Sequence, residues 1–250
     1  MLCGVHGMKI LAWDVETSPI VGAVWGLWEQ NLSHHHILED WNLLTVAWKW
    51  IGKSKVEAAA VSPKSPTNDK ELVKRVHAVL SEADVLVAHN GDKFDLKKFN
   101  ARAIFNGLAP LPPITTIDTL KVAKSVFAFT SNRLDYLGHF LGVGRKMETG
   151  GLNLWLKVMK GDKDALAKMV KYNKVDVEVL EGVYQKLRPY MRNHPNEGLT
   201  SKVECCPTCG SEEFTKSGVR HTRTRSYQRY QCGSCHSWFS GEPVGAVTLK

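Results

Sequence analysis

Apolar positions along the chain follow two rhythms, one belonging to strands and the other to helices. KILAWDVET (9–17) is a short apolar run that gives way to alternation, the mark of a strand with a buried face. VGAVWGLWE (21–29), NLLTVAWKWI (42–51) and KVEAAAVS (55–62) read as further strands, the last two joined by the turn-like Gly52-Lys53-Ser54. Together they predict an antiparallel meander. NDKELVKRVHAVLSEA (68–83) changes rhythm, with apolar residues at 72, 73, 76, 79 and 80, and predicts a helix. DVLVAHN (84–90) is almost wholly apolar, as expected of a strand covered on both faces.

Helical spacing dominates from there. FDLKKFNARAIFNG (94–107) is a helix closed by Gly107, and the proline-rich LAPLPP (108–113) leads into a short strand, ITTIDTL (114–120). Segments 121–142 and 164–190 read as helical, with Gly138, Gly142, Gly144, Gly150 and Gly151 marking turns. MRNHPNEGLTSKVE (191–204) is polar and irregular. The pattern predicts an α/β domain over 1–192, with a mixed central sheet flanked by helices, a linker over 193–203 and a small module over 204–250. His34, His35 and His36 read as part of a loop rather than as a metal site.

Composition narrows this only slightly. The 250 residues are 43% apolar and 23% charged, an ordinary globular balance with no apolar run near the ~20 residues that span a bilayer. The N-terminus lacks a basic region and a small-residue cleavage site, so no signal peptide is expected. A formal net charge of +8 favours polyanionic partners without identifying one. Of six cysteines, four form two CxxC pairs and Cys3 stands alone, which points to a metal site in a reducing, cytoplasmic compartment.

The acidic residues carry the chemistry. Asp14 and Glu16 stand two apart on the first strand, so both side chains leave one face. HNGDKFD (89–95) follows a buried strand, where α/β sheets gather their ligands, and Asp95 opens the next helix. Asp92 sits at a turn position facing solvent. Tyr172 and Asp176 stand four apart in a helix and share a face. Each piece alone has an ordinary structural explanation: a strand end reaching water, a helix-start carboxylate, a packed Tyr beside a solvated Asp.

In combination and in this order, DxE on a strand, NxxxFD at a strand-turn-helix and YxxxD on a helix resemble the motifs of the DEDD (DnaQ-like, RNase-H-like) 3′–5′ exonuclease superfamily. NGDKFD is similar to the second motif of family B DNA polymerase proofreading domains and of predicted RNase-H-like exonucleases. The resemblance covers roughly residues 8–190. Position 171 is Lys and position 172 is Tyr, so the chain is similar to the tyrosine, or DEDDy, branch. The resemblance implies a metal-dependent exonuclease with DNA favoured. Two Mg²⁺ or Mn²⁺ ions would be held by Asp14, Glu16, Asp95 and Asp176, and Tyr172 would orient the attacking water. Carboxylates suit these hard ions, and an ordinary phenol, titrating near pH ~10, suits positioning rather than proton abstraction. Asn90 and Phe94 would contact the terminal nucleotides.

At the C-terminus, Cys206, Cys209, Cys232 and Cys235 make CxxC, 22 residues, CxxC, the ligand set of a closed structural Zn²⁺ site and of a zinc ribbon. A module this small needs metal ligation as part of its folding energy. Between the knuckles, Arg223, Arg225, Tyr227 and Arg229 would share one face of an extended strand, a strip suited to phosphates and bases. The expected partner is nucleic acid, single-stranded DNA or 3′ ends first and RNA second, with no membrane. The alternatives are a nuclease fold that only binds or scaffolds nucleic acid, and a structure-selective endonuclease.

Overall fold

The computed structural model describes residues 8–200 and 203–246, so Cys3 and the extreme N-terminus lie outside the described residues. The chain opens with β1 (Ile10–Thr17), then a small hairpin of β2 (Val21–Gly22) and β3 (Ile37–Glu39), then β4 (Leu43–Trp50) and β5 (Glu57–Ala60). Next come α1 (Lys70–Ser81), β6 (Val85–Ala88), α2 (Asp95–Phe105), β7 (Thr115–Asp118), α3 (Thr119–Val126) and α4 (Leu134–Phe140). α5 (Leu152–Met159) and the long α6 (Lys163–Leu187) complete the α/β unit, and β8 (Phe214–His221), β9 (Arg225–Cys232) and β10 (Trp238–Ala246) form the C-terminal module.

The main sheet has the order β5-β4-β1-β6-β7. β1 pairs antiparallel with β4, itself antiparallel to β5, and parallel with β6, itself parallel to β7. β1 is thus hydrogen-bonded on both sides, and its alternation decides what each face of the sheet sees. Leu11, Trp13 and Val15 enter a core with Leu72 and Val76 of α1 and Phe99 of α2. Trp13 and Phe99 meet edge to face at 6.2 Å, a pairing worth about 0.5–1.5 kcal/mol beyond their buried area. Ile10 and Ala12 face the opposite core, built from α3, α4 and α6 through Val122, Leu137, Val177 and Leu180. Two residues further along that second face come Asp14 and then Glu16, so one strand carries its face from apolar core to acid site.

A buried carboxylate locks the first layer. Asp69, just before α1, accepts from the Leu43 N–H at 3.0 Å, from Arg102 Nε and Nη2 at 2.6 and 2.9 Å, and from Asn106 Nδ2 at 3.1 Å. It ties the start of β4 to the end of α2. The two following Trp13 neighbours, α1 and α2, are thereby held in register with the sheet.

Three local expectations change. VGAVWGLWE (21–29) is not a strand of the meander: pairing stops at Gly22, because β2 meets only two residues of β3. Beyond it Trp25, Leu27 and Trp28 are almost fully exposed. His34–His36 is one 3-10 turn. The helical stretch 121–142 divides into α3 and α4 where Phe127 turns extended, and α5, which the sequence reading missed, buries Leu154 and Val158 four residues apart. Among the described residues no helix is long and apolar enough to cross a membrane.

In the C-terminal module β9 lies between β10 and β8, all antiparallel, over a small aromatic core of Phe214, Tyr230 and Phe239. Segment 191–200, though irregular, is docked rather than free-standing. Arg188 pairs with Glu197, Tyr184 Oη meets His194 Nε2 at 2.7 Å, and the Glu197 N–H donates to Pro207 O at 2.9 Å.

Candidate active site and cysteine centre

β1 sends Asp14 and Glu16 toward α6, and α6 brings up Asp176 from the other side. One carboxylate oxygen from each of the three lies within 4.8 Å of the others. Asn173, fully buried one turn before Asp176, fixes Asp14: its Nδ2 donates to Asp14 Oδ2 at 2.7 Å and to Asp14 O at 3.2 Å, while its Oδ1 accepts from Thr45 Oγ1 at 3.1 Å.

Asp95, the first residue of α2, stands beside this trio, and its Oδ1 accepts from the Val15 N–H at 3.1 Å. The turn that delivers it is tightly built. Asn90 holds φ at 67°, a left-handed geometry that asparagine tolerates, and its N–H donates to Asp118 Oδ1 at 2.9 Å. The same oxygen caps α3 through the Leu120 N–H at 3.0 Å. A Cβ at Gly91 would fall 2.3 Å from that of Ala88, so only glycine fits there. Asp92 points away and pairs with Lys121 at 2.6 Å. Phe94 is partly exposed.

Crowding of carboxylates shows in their proton affinities. Burial, then the charges of Asp95, Glu16 and Asp176, holds Asp14 well above the usual carboxylate range. Burial first and Asp176 second push Glu16 up to about 8. Burial takes Asp95 to about 7, against the pull of its hydrogen bond from Val15. Asp176 is raised by burial although Lys146 opposes it. Burial and the neighbouring Asp176 raise the Tyr172 phenol too, so it stays protonated throughout the neutral range.

Sequence reasoning missed three members of the site. Lys146 reaches in from the glycine-rich loop after α4, pairing with Asp176 and donating to Tyr172 Oη at 3.1 Å. Burial pulls its pKa down, but the surrounding carboxylates outweigh that, so the ammonium is held charged. Trp155 of α5 lies close enough to Glu16 to favour its charged form and meets the Tyr172 ring edge-on at 6.2 Å. Asn173 adjoins Tyr172 and is signalled only by being a polar residue on the core side of a helix. Nothing periodic marks Lys146.

These residues fit divalent cations. Asp176 Oδ1 is buried without a hydrogen-bond partner, three carboxylates converge, and oxygen donors suit Mg²⁺ or Mn²⁺. Beside Lys146 opens a cleft of about 590 Å³ with Asn90, His89, Lys124, Arg133 and Asp135 on its walls. It presents cations next to the acids, a juxtaposition suited to a phosphodiester.

The cysteine centre is separate. Cys206, Cys209, Cys232 and Cys235 cluster, with Cys206 and Cys235 sulfurs 3.7 Å apart and Cys209 and Cys232 likewise 3.7 Å. A tetrahedron with Zn–S bonds of ~2.3 Å has edges of about 3.8 Å, so the set is compatible with a zinc ribbon. Burial would raise the Cys206 thiol, yet hydrogen bonds from Ser237 and the Thr208 N–H bring it down to about 7. Cys205 and His236 fall outside the cluster.

The strip predicted on the ribbon needs one correction. Arg225, Tyr227 and Arg229 share a face of β9, but Arg223 lies in the β8–β9 turn, where strand alternation no longer governs it. Arg220, opposite Tyr227 in the register, joins that face instead. The Arg229 guanidinium is already engaged, donating to Ser217 O at 2.8 Å and lying 4.8 Å over the Trp238 ring.

A mixed five-stranded sheet, helices on both faces and clustered carboxylates at the end of its central strand define the class: a nuclease fold of the ribonuclease H type. A family model of the RNase_H superfamily matches residues 39–188, and the chain belongs to that superfamily. Asp14 and Glu16 precede the matched span. The chain is similar in structure to the family B DNA polymerase from the hyperthermophilic archaeon Pyrobaculum calidifontis, with a TM-score of 0.57 and 14% identity. That likeness covers 88% of this chain and 32% of the polymerase, so the protein spans about a third of the polymerase's length. No protein of curated function matches the sequence.

Proposed function

We propose that the protein is a metal-dependent 3′–5′ exonuclease, with a nuclease unit over 1–192, a connecting segment over 193–203 and a zinc-ribbon module over 204–250. The convergence of Asp14, Glu16 and Asp176 around a partnerless buried oxygen is the observation that carries this reading. Two Mg²⁺ or Mn²⁺ ions, held by these three residues and Asp95, would supply Lewis-acid stabilisation of phosphoryl charge and a hydroxide at neutral pH.

The chain's own groups supply the rest. Asn173 fixes the Asp14 carboxylate for ligation. Tyr172, kept neutral by burial and Asp176, offers a hydroxyl that orients a water rather than a phenolate that abstracts a proton. Lys146, Lys124 and Arg133 line the path of the strand's phosphates. Phe94 and Asn90 would contact the terminal nucleotides, and Arg220, Arg225 and Tyr227 would extend the contact onto the ribbon. Single-stranded DNA is the favoured substrate.

The decisive experiment uses purified protein with Mg²⁺ or Mn²⁺ on DNA and RNA labelled at either end. Progressive shortening from the 3′ end, abolished by Asp14→Asn and by Asp176→Asn with the fold intact, is the expected result. Cleavage of circular strands would instead establish endonuclease action, and activity surviving both substitutions would overturn the site.

A further inference from the structure

We infer that the groove between the end of α6 and the ribbon is a subsite for an unpaired nucleobase of the strand being digested. The inference rests on the nuclease reading above and adds a second, distant contact to it. The groove has a volume of about 680 Å³ and is lined by Gln185, Lys186, Tyr190, Gln231, His236 and Trp238 among others.

Two of its walls are aromatic rings left open to solvent, Tyr190 at 60% and Trp238 at 51% exposure. Each is braced by a neighbour that does not line the groove. Phe127 packs against Tyr190 with centroids 5.1 Å apart, and the Arg229 guanidinium lies 4.8 Å over Trp238. A ring supported on one side and open on the other is a stacking platform, and the cation draws further on the indole's π-face. Gln185, Gln231 and His236 bring donors and acceptors to the edge of whatever lies between the rings, and Lys186 brings a charge for its phosphate.

Position on α6 supports the same ligand. Lys186 follows Asp176 by ten residues, about 15 Å along the helix at 1.5 Å per residue. That axial spacing matches the span of a few nucleotides of a strand held at the acid cluster. The ribbon face bearing Arg220, Arg225 and Tyr227 adds cations and an aromatic ring on the same module. A flat, π-rich, anionic polymer suits aromatic walls interleaved with cations better than a peptide does.

The test compares full-length protein with Tyr190→Ala and Trp238→Ala, and with the ring-keeping Tyr190→Phe and Trp238→Tyr. Fluorescence anisotropy of single-stranded DNA and RNA of about ten nucleotides is read in chelator-free buffer without Mg²⁺ or Mn²⁺, so that the ribbon keeps its metal and nothing is cut. The alanine variants are expected to bind the better strand about tenfold more weakly, and the ring-keeping variants to bind it normally. With Mg²⁺ added, KM for that strand should rise in the alanine variants while hydrolysis of a dinucleotide, too short to reach the groove, stays unchanged. Alanine variants that bind and digest the longer strand as the wild type does would overturn the subsite, as would equal losses on the dinucleotide. Should Trp238→Ala lose its zinc, the Tyr190 pair decides alone. Absence of hydrolysis by the wild type would sink the nuclease reading, while the metal-free binding comparison still decides the groove.

Discussion

Glu16 illustrates how a cluster of buried acids is held in tension. Its folded-state pKa of about 8 lies above the ordinary 4.5, so between those values the folded protein keeps a proton that the unfolded chain has released. Stability is therefore lost as pH rises through that window, and Asp95 adds the same sign between 3.8 and about 7. Without divalent ions the thermal midpoint is expected to fall from pH 5 to pH 8. Mg²⁺ or Mn²⁺ should restore it strongly at pH 8 and little at pH 5, and Glu16→Gln should flatten the slope. A midpoint that climbs through this window in metal-free buffer would show that the carboxylates are already ionised in the fold. The acids themselves were legible in sequence, because Asp14 and Glu16 are set on one face by a strand's period of two and Tyr172 and Asp176 by a helix's turn. Lys146 was not, since it comes from an aperiodic loop, and 30 residues separate it from Asp176. Asn173 belongs to no motif, yet it is the group that orients Asp14.

Elements are placed by a few junctions that tolerate little change. The β6–α2 turn fits only because position 91 has no side chain, so Gly91→Ala should displace Asp95 and cut hydrolysis at least tenfold, read by kcat with the fold checked by circular dichroism. Wild-type activity in that variant would mean the turn relaxes without moving the carboxylate. Asp69 is the corresponding lock on the other face. Removing it strands the largely buried Arg102 and leaves the Leu43 N–H without its acceptor, so Asp69→Ala should cost about 3–5 kcal/mol in urea unfolding, with Asp69→Asn milder. The succession of strands and helices was readable because α1 and α2 carry helical periodicity and β6 is a short, wholly apolar run. Segment 21–29 misled because its aromatic and branched residues favour strands, whereas a strand also needs a partner edge and β3 supplies only two residues of it. α5 escaped notice because eight residues between glycine turns give only two buried positions.

At the scale of the molecule, the question is where the nuclease unit ends. Sequence composition places the end at 192, where the chain turns polar and irregular. Packing argues for a few residues more. Arg188 is 6% exposed and its guanidinium pairs with Glu197, while the buried Tyr184 hydroxyl meets His194, so residues 193–200 satisfy groups belonging to α6 and the turn after it. A chain ending at 192 would bury a cation without its carboxylate, which typically costs about 3–5 kcal/mol. A chain ending at 203 would keep both contacts and lose the bond from Glu197 to Pro207. The longer truncation is therefore expected to unfold near the midpoint of the full-length nuclease unit, and the shorter one clearly below it. In the full chain Cys206→Ser should abolish zinc binding and open residues 204–246 to proteolysis, yet leave hydrolysis of a dinucleotide intact, because among the described residues the cysteine cluster and the acid cluster are separate groups. Equal stability of the two truncations would show that Arg188 finds water or another acceptor once Glu197 is gone. Loss of dinucleotide hydrolysis on removal of zinc would show that the ribbon braces α6 itself, through the same Arg188–Glu197 contact, rather than only extending the strand's path.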